Sequence, residues 1–567
     1  MTAAAVTHNN HNNASTEKPV AFEEAVSLTG QGRFHWVLQL VCGVCLATTL
    51  VTMLSTGYAL PYAQCDLRLA TQDKGILNAI CYIGMLCSSH LWGYLADTRG
   101  RRTVLLLTLV ADSACTVLSS FSHSFWLLLI FRFWNGFFIC GAAAVVFAYL
   151  GEFHGLATRA RAVVWLGVSV AVGTICLPGL AWLVIPNSHW TLALGPLEYG
   201  PWRILLLLCA LPGLLAALLI WALLPESPKF LLATGRNHQA LDVLRLIFAT
   251  NTGKDPLDFP VRSLQLDSPP RPSVASLEAG GLSTSAKSTG RMALEVAKSM
   301  WRQTAPLFSR QHACNLAAVC VIDFAIFACS NGFLLWLPEL FSRLSSYAAS
   351  HPSLNETLTV CQVVAAAAAE AHAARYFEPW LLADGNPDVD VDVDAAPAAL
   401  ATLAPGSDGC TADVDVSVFS NTLIIGATTA AAYILAGYAV PFVGKKRLLV
   451  LSTLLSGCCG IALHWVGSQD TVLALACLFM APATMCISVV NSIVVDLFPT
   501  QIRAMAVCLS LMMGRLGTAL GSVFIGSILE ISCSSVFFIL SGIVIGCGLL
   551  ALTLPNHPKD MSAPVLQ

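Results

Sequence analysis

The stretch Gly93-Tyr-Leu-Ala-Asp97-Thr-Arg99-Gly100-Arg101-Arg102 returns later in the chain as Gly437-Tyr-Ala-Val-Pro441-Phe-Val-Gly444-Lys445-Lys446. The offset between the two, 444 − 100, is 344. The same offset carries Glu152 to Asp496 and Arg159 to Arg503. Agreement of two separate loops on one number marks a duplicated chain.

Outward from each copy the sequence is apolar. A helix needs ~20 apolar residues to cross a hydrocarbon core of ~30 Å. The pattern predicts helices over 35–58, 75–96, 103–122, 125–149, 162–185, 203–224, 313–341, 419–441, 447–466, 471–495, 504–528 and 533–554. Lipid offers no partners to backbone polar groups, so continuous runs of this length span as helices. The predicted fold class is an all-α membrane protein of twelve transmembrane helices in two six-helix halves. Composition agrees: charged residues make up 11% of the 567, against about 25% in soluble domains. A net charge of −3 gives no support to a nucleic-acid partner. Most of the 21 cysteines lie in apolar runs, where they act as small hydrophobes.

Basic residues orient the chain. Arg99, Arg101 and Arg102 follow the second helix, Arg159 and Arg161 the fourth, Lys445 and Lys446 the eighth, and Arg503 the tenth. The loops at 123–124, 186–201, 467–470 and 529–532 hold no Lys or Arg. Both tails, 1–34 and 556–567, are therefore expected in the cytoplasm. The halves cover 35–225 and 313–555, joined by a cytoplasmic loop at 226–312 that contains a Pro/Ser-rich linker. The second half includes a lumenal or extracellular loop at 342–418.

Several residues are candidates for gating. Gly93 permits close helix approach. Asp97 can face a helix N-terminus, where a carboxylate is favoured, and Arg101 and Arg102 can pair with carboxylates. Together with Gly100 they form a candidate latch for the outward-open state. The alternative is that the arginines only fix topology. Glu152 with Arg159, Asp496 with Arg503, and Glu226 in Pro225-Glu226-Ser227-Pro228-Lys229 are expected to form an ion-pair network between the halves that closes the inner gate. A solvated loop face is the alternative. Pro441 replaces Asp97 in the second copy, so that half should lack the same carboxylate.

Inside the membrane Arg132, near Gly136, is expected to be paired or to snorkel. Asp323, and with less weight Asp112, are intramembrane acids. Thr48, Thr52, Asn331 and Asn491 are candidate solute contacts, with helix–helix adhesion as the alternative. Arg515 reads as a structural cation.

These loop motifs resemble the sugar-porter and organic-ion branch of the major facilitator superfamily. GRFHWVLQLV, FAYLGEFHG, PESPKFLLATGRNHQALDVLRLIFATNTGK and FSNTLIIGA resemble synaptic vesicle glycoprotein 2 and its insect relatives, and the likeness covers most of 22–555. The resemblance implies two parallel halves about a central site, and an acidic pair in the first helix. Here that stretch reads Cys45-Leu-Ala-Thr48-Thr49-Leu-Val51-Thr52-Met53, with no acid, which weakens an expectation of ion coupling.

In the outer loop Asn355-Glu356-Thr357 is a glycosylation sequon. Cys361 and Cys410 are a candidate disulfide, with Cys65 as a competing third thiol. The acidic run Asp388–Asp394 lacks the glycine and glutamate of a calcium loop, so no metal is expected, and no cofactor. No phosphate-binding glycine loop, HExxH or CxxC points to an enzyme. The expected partners are the lipid bilayer and a small-molecule solute. The function expected first is transport of a small organic solute, an organic ion or sugar-like molecule, by alternating access. Second is a non-transporting vesicle-membrane protein that binds a vesicle partner. The plasma membrane and a secretory or synaptic-type vesicle membrane both fit.

Overall fold

The computed structural model describes residues 20–187, 190–194, 197–265, 305–350, 359–366, 416–498 and 500–555. Asn355, Cys410, Asp388–Asp394 and the linker at 268–290 lie outside the described residues, as does the side chain of Arg503. Among the described residues twelve helices are long and apolar enough to cross a membrane. They are Arg33–Leu67, Thr71–Arg99, Arg101–Ser120, Phe125–Glu152, Arg161–Val184, Pro201–Leu223, His312–Tyr347, Ser417–Val440, Lys445–Trp465, Gln469–Leu497, Met505–Ile528 and Cys533–Ala551. They are called the first to twelfth spans below. Their outer faces carry exposed tryptophans near both ends, including Trp36 and Trp221 at one and Trp126 and Trp465 at the other. Indole rings in two such belts fit the two interfaces of a bilayer.

The spans run alternately between two ends. One carries Arg99–Arg102 and Lys445–Arg447 and is called the basic end. The other carries the disulfide described below. The duplication is visible in the backbone. Gly100 has φ 101° and ψ 151°, and Gly444 has φ 86° and ψ 145°. Each caps the N-terminus of the next span at equivalent places in the halves. Only glycine occupies this region without strain.

Within each half, helices meet through small residues. A Cβ on Gly136 would strike the carbonyl of Cys81, and one on Gly84 the carbonyl of Phe133. These contacts hold the second and fourth spans together. In the second half, a Cβ on Gly521 would lie 2.6 Å from the carbonyl oxygen of Ala328, bringing the seventh and eleventh spans backbone to backbone.

Three departures from the sequence reading have physical causes. The first span runs to Leu67, well past its expected end at 58, and stops where Arg68 turns left-handed at φ 50°. Its last turns are polar, and hydropathy cannot register a helix that leaves the membrane. The seventh continues as Leu337–Ser350 into the expected outer loop for the same reason. The third concerns the disulfide. Cys361 bonds Cys533, with Cα atoms 5.3 Å apart, and not Cys410. Cys533 opens an apolar run in the sequence, yet as the first residue of the twelfth span it sits at the membrane rim.

At the basic end Val20–Ala21 pairs in parallel with Leu264–Gln265, tying the N-terminal segment to the central loop. Asn251 completes that docking: its amide donates to the carbonyls of Thr29 and Gly30, and its Oδ1 accepts from the Phe34 amide.

Proteolysis under non-reducing conditions should yield a peptide joining Cys361 to Cys533. Replacing Cys410 by serine should leave that peptide in place, and replacing Cys533 should abolish it.

Candidate functional site

At the basic end the predicted gate residues do assemble, but within each half. Arg101 meets Asp97 at 2.9 Å and Glu152 at 3.1 Å, and its guanidinium lies 5.3 Å from the Phe230 ring centroid. Glu152 also accepts a hydrogen bond from the Ser227 hydroxyl. Asp97 itself is 62% exposed, and its carboxylate accepts from Arg101 with no helix N-terminal amide donating to it among the described residues. Glu226 takes that role: its carboxylate accepts from the Arg102 amide at 3.0 Å, at the positive end of the third span. Arg102 turns away and donates to the carbonyls of Trp221 (2.7 Å) and Ile220 (3.5 Å), closing the C-terminus of the sixth span.

The second half repeats the central pair. Lys445 meets Asp496 at 2.6 Å, and the offset of 344 takes Arg101 to Lys445 and Glu152 to Asp496. Arg159 pairs with Glu23 at 2.7 Å and donates to the carbonyl of Gly151 at 2.9 Å, fixing the helix Phe22–Leu28. Each of these pairs stays in one half or its tail. Among the described residues no ion pair of the expected network runs between the halves at this end. Nor does Gly93 serve a close approach here: a Cβ on Gly93, or on Gly437, meets nothing within 4 Å. Between the fourth and fifth spans, burial holds the His154 imidazole below its usual range. It therefore adds no charge to this end near neutral pH.

The halves are joined at the disulfide end. Lys74 of the second span meets Glu339 of the seventh at 2.5 Å, with side chains 3% and 7% exposed. Lys74 also donates to Gln64 at 2.7 Å. Arg343 bonds Glu339 at 2.9 Å and Glu530 at 3.4 Å, and the Thr71 hydroxyl donates to Glu530. One cluster thus draws on the first, second and seventh helical segments and on the turn after the eleventh. Close backbone contacts surround it. A Cβ on Gly57 would lie 2.7 Å from the carbonyl of Leu335, one on Gly75 3.1 Å from that of Ser522, and one on Gly426 2.9 Å from that of Thr174. The Trp336 indole donates to Ser522 at 3.2 Å. None of these residues was singled out from sequence. The available signal was Lys74 and Arg343 themselves, cations at the end where the loops at 123–124, 186–201, 467–470 and 529–532 hold none.

Between the two ends lies a polar centre. Arg132 is fully buried, which removes snorkelling as its reason. Its Nη1 donates to Ser55 at 2.9 Å and approaches the Thr52 carbonyl at 3.5 Å. Its Nε and Nη2 have no partner among the described residues. The Thr52 hydroxyl donates to Asp112 at 3.0 Å, and Asn135 donates to the same carboxylate at 2.9 Å. The first, third and fourth spans therefore share one buried carboxylate, supplied by the third helix where the first has none. Thr48 bonds its own helix at Val44 and packs toward Gly213, so it is held inside the half. In the other half Asp323 accepts from Ser510, and its second oxygen is unpartnered among the described residues. Asn491 Oδ1 is likewise buried without a partner. Asn331 is half-buried on the seventh span. Arg132 and Thr52 are thus brought together, while Asp323, Asn331 and Asn491 stand apart from them in the second half. No group of three or more metal-ligating side chains occurs among the described residues.

Sequence comparison matches the Major Facilitator Superfamily over residues 40–383 and 400–566. Human synaptic vesicle glycoprotein 2B is 23% identical over 588 residues, covering 95% of this chain and 86% of that protein. Rat synaptic vesicle glycoprotein 2A is 35% identical over 233 residues, 41% of this chain and 31% of that protein. Among solved structures, the partially occluded inward-open xylose transporter XylE from E. coli aligns with a TM-score of 0.60 at 14% identity, covering 92% of this chain and 100% of that one. An inward-facing, unoccupied bacterial homologue of the human lysosomal transporter Spinster aligns with a TM-score of 0.56 at 12% identity, covering 92% and 96%. At these identities the structural likeness concerns the fold.

Two glycines of one motif should respond oppositely to alanine. Gly100→Ala adds a Cβ against the Glu226 carboxylate in a region of φ,ψ that disfavours side chains, so stability should fall by about 1–3 kcal/mol. Gly93→Ala meets open space in a helix, and thermal unfolding in detergent should show it neutral or slightly stabilised.

Proposed function

The chain belongs to the Major Facilitator Superfamily, and from that premise we propose that it moves a small organic solute, an organic ion or sugar-like molecule, across a membrane by alternating access. The asymmetry between its ends carries the reading. At the disulfide end a buried ion cluster and three close backbone contacts hold the halves together. At the basic end the ion pairs are spent inside each half, and Gly93 and Gly437 face unfilled space. Halves bound to each other by charge at one end, with charges paired locally at the other, fit one of the two states that alternating access requires.

In this scheme the basic end faces the cytoplasm, by the bias of Lys and Arg, and both tails are cytoplasmic. The state described is inward-facing. Lys74, Glu339, Arg343 and Glu530 form the outer gate. The inner gate closes by a different means: the clasps Arg101–Glu152 and Lys445–Asp496 keep each half rigid, and Gly93 and Gly437 supply the surfaces that meet. Arg159, Arg503, Asp496 and Glu226 then stabilise each half at the cytoplasmic mouth rather than bridging across it. Arg132 with Thr52 and Asp112, and Asp323, Asn331 and Asn491 in the other half, give the polar centre through which a solute passes.

A second reading draws on the similarity to synaptic vesicle glycoproteins 2A and 2B. The same fold would then hold a vesicle partner without transport, in a vesicle membrane. The gates discriminate between the two, because a holding function does not need them to alternate.

Lys74→Cys with Glu339→Cys places two thiols across the outer gate. A short bis-thiol crosslinker should stop uptake of any member of a sugar, organic-ion and nucleoside panel into proteoliposomes. Uptake that continues after complete crosslinking, or no uptake of any panel member by the uncrosslinked protein, would count against transport by this route.

A further inference from the structure

The duplication places one anion cradle in each half, and the chain fills them differently. After the sixth span the sequence runs Leu224-Pro225-Glu226-Ser227-Pro228-Lys229, and after the twelfth Leu554-Pro555-Asn556-His557-Pro558-Lys559. In the first half Glu226 brings a carboxylate to the start of the third span. It accepts from the Arg102 amide at 3.0 Å, and a Cβ on Gly100 would strike it. In the second half the sequence has Asn556 in that place, which carries no charge. A Cβ on Gly444, the counterpart of Gly100, meets nothing within 4 Å. The space beside it is a cavity of about 370 Å³ whose lining includes Gly444, Lys445, Lys446, Arg447, Asp496 and Leu554.

The charge of this cavity is one-sided. Asp496 is the one acid among its described lining residues, and it is paired with Lys445 at 2.6 Å. Lys446 donates to the Leu554 carbonyl at 2.6 Å, as Arg102 donates to the carbonyls that end the sixth span. An ammonium group carries further donors beyond that one bond. Arg447 is exposed and enters no ion pair among the described residues. The offset of 344 takes Arg447 to Thr103, so this cation belongs to the second half alone. Lys446 and Arg447 are thus left without a carboxylate, in a cavity whose counterpart holds one.

The setting favours a lipid over a free ion. Arg447, Leu451 and Leu455 recur every four residues and so share one face of the ninth span. Leu451 and Leu455 are both exposed, as are Leu549 and Leu552 at the end of the twelfth span. The two spans pack together where Gly548 meets Thr453. Anionic headgroups at a bilayer surface attract Lys and Arg at the ends of spans. We propose that the cavity binds the phosphate of an anionic lipid in the leaflet at the basic end. A phosphomonoester headgroup, with a charge of about −1.5 to −2 at neutral pH, matches Lys446 and Arg447, and its acyl chains lie along Leu451, Leu455 and Leu549. The lipid phosphate does for the second half what Glu226 does for the first: it braces the start of one span against the end of another. That half takes its anion from the membrane and not from the chain.

Dioctanoyl phosphatidic acid, dioctanoyl phosphatidylcholine and inorganic phosphate are each titrated against the purified full-length protein in neutral detergent while the thermal unfolding midpoint is followed. Phosphatidic acid should raise the midpoint to a plateau, and the other two should not. Arg447→Thr gives the second half the residue of the first and should weaken binding about fivefold, the share of one cation at an anionic surface. Lys446→Gln combined with Arg447→Thr should remove the shift. Arg99→Thr takes one exposed charge from the same end of the first half and should leave the shift as it is. The midpoint without lipid reports whether each variant is folded, and the three ligands on the unaltered protein decide the ligand class whatever the variants do. No shift with phosphatidic acid, an equal shift with phosphatidylcholine or inorganic phosphate, a shift that survives the double variant, or an equal loss with Arg99→Thr and Arg447→Thr would each overturn the assignment.

Discussion

The contact between Lys74 and Glu339 is the constraint on which the rest of this conformation depends. Both side chains are almost fully enclosed at the rim of an apolar bundle, where isolated charges are strongly disfavoured. Among the described residues Lys74 has its ion-pair partner in the other half, while Glu339 also keeps Arg343 of its own helix. Arg343, Glu530, Gln64 and Thr71 extend the hydrogen bonding, with Glu339 Oε2 left buried and unpartnered among the described residues. Removing one partner of a buried pair typically costs about 3–5 kcal/mol. That is comparable to the gap of a few kcal/mol between the two states of an ordinary conformational equilibrium. One carboxylate thus ties the two halves together at this end.

The other end is built on the opposite plan. Its charges are more numerous, and the ion pairs among its described residues are local. Arg101–Glu152 and Lys445–Asp496 occupy equivalent places in the two halves, and Glu226 caps the third span. Charges satisfied within a half make no claim on the other half. That leaves the basic end free to part without stranding a charge, while the disulfide end cannot. The duplicated sequence therefore yields an unsymmetrical machine: the repeat supplies the rigid halves, and residues outside the repeat supply the lock.

This division explains what could be read in advance. The twelve spans, their alternation and the two halves follow from hydropathy and from the offset of 344, because membrane insertion acts on local composition. Glu152 with Arg101 was within reach for the same reason: its equivalent pair recurs. The lock was not, since Lys74 and Glu339 are far apart in sequence and neither belongs to a repeated motif. Hydropathy discounts a lone charge near a helix end as a solvated one. The disulfide was misassigned on similar grounds, with Cys533 hidden by the apolar run it opens. Arg132 was recognised as costly, but its surroundings depend on a carboxylate from the third helix. The sequence held that Asp112 without showing that Thr52 and Asn135 converge on it.

Hydrogen–deuterium exchange of Glu339→Gln against the unaltered protein tests the account most directly, since neutralising that carboxylate breaks the lock without changing its size. Exchange should rise around Gln64–Gly75 and Trp336–Tyr347 and fall around Gly93–Arg102 and Gly437–Lys446, as one end opens and the other shuts. A rise at both ends, or a change confined to the immediate neighbours of residue 339, would contradict the claim that the two ends are coupled through this pair.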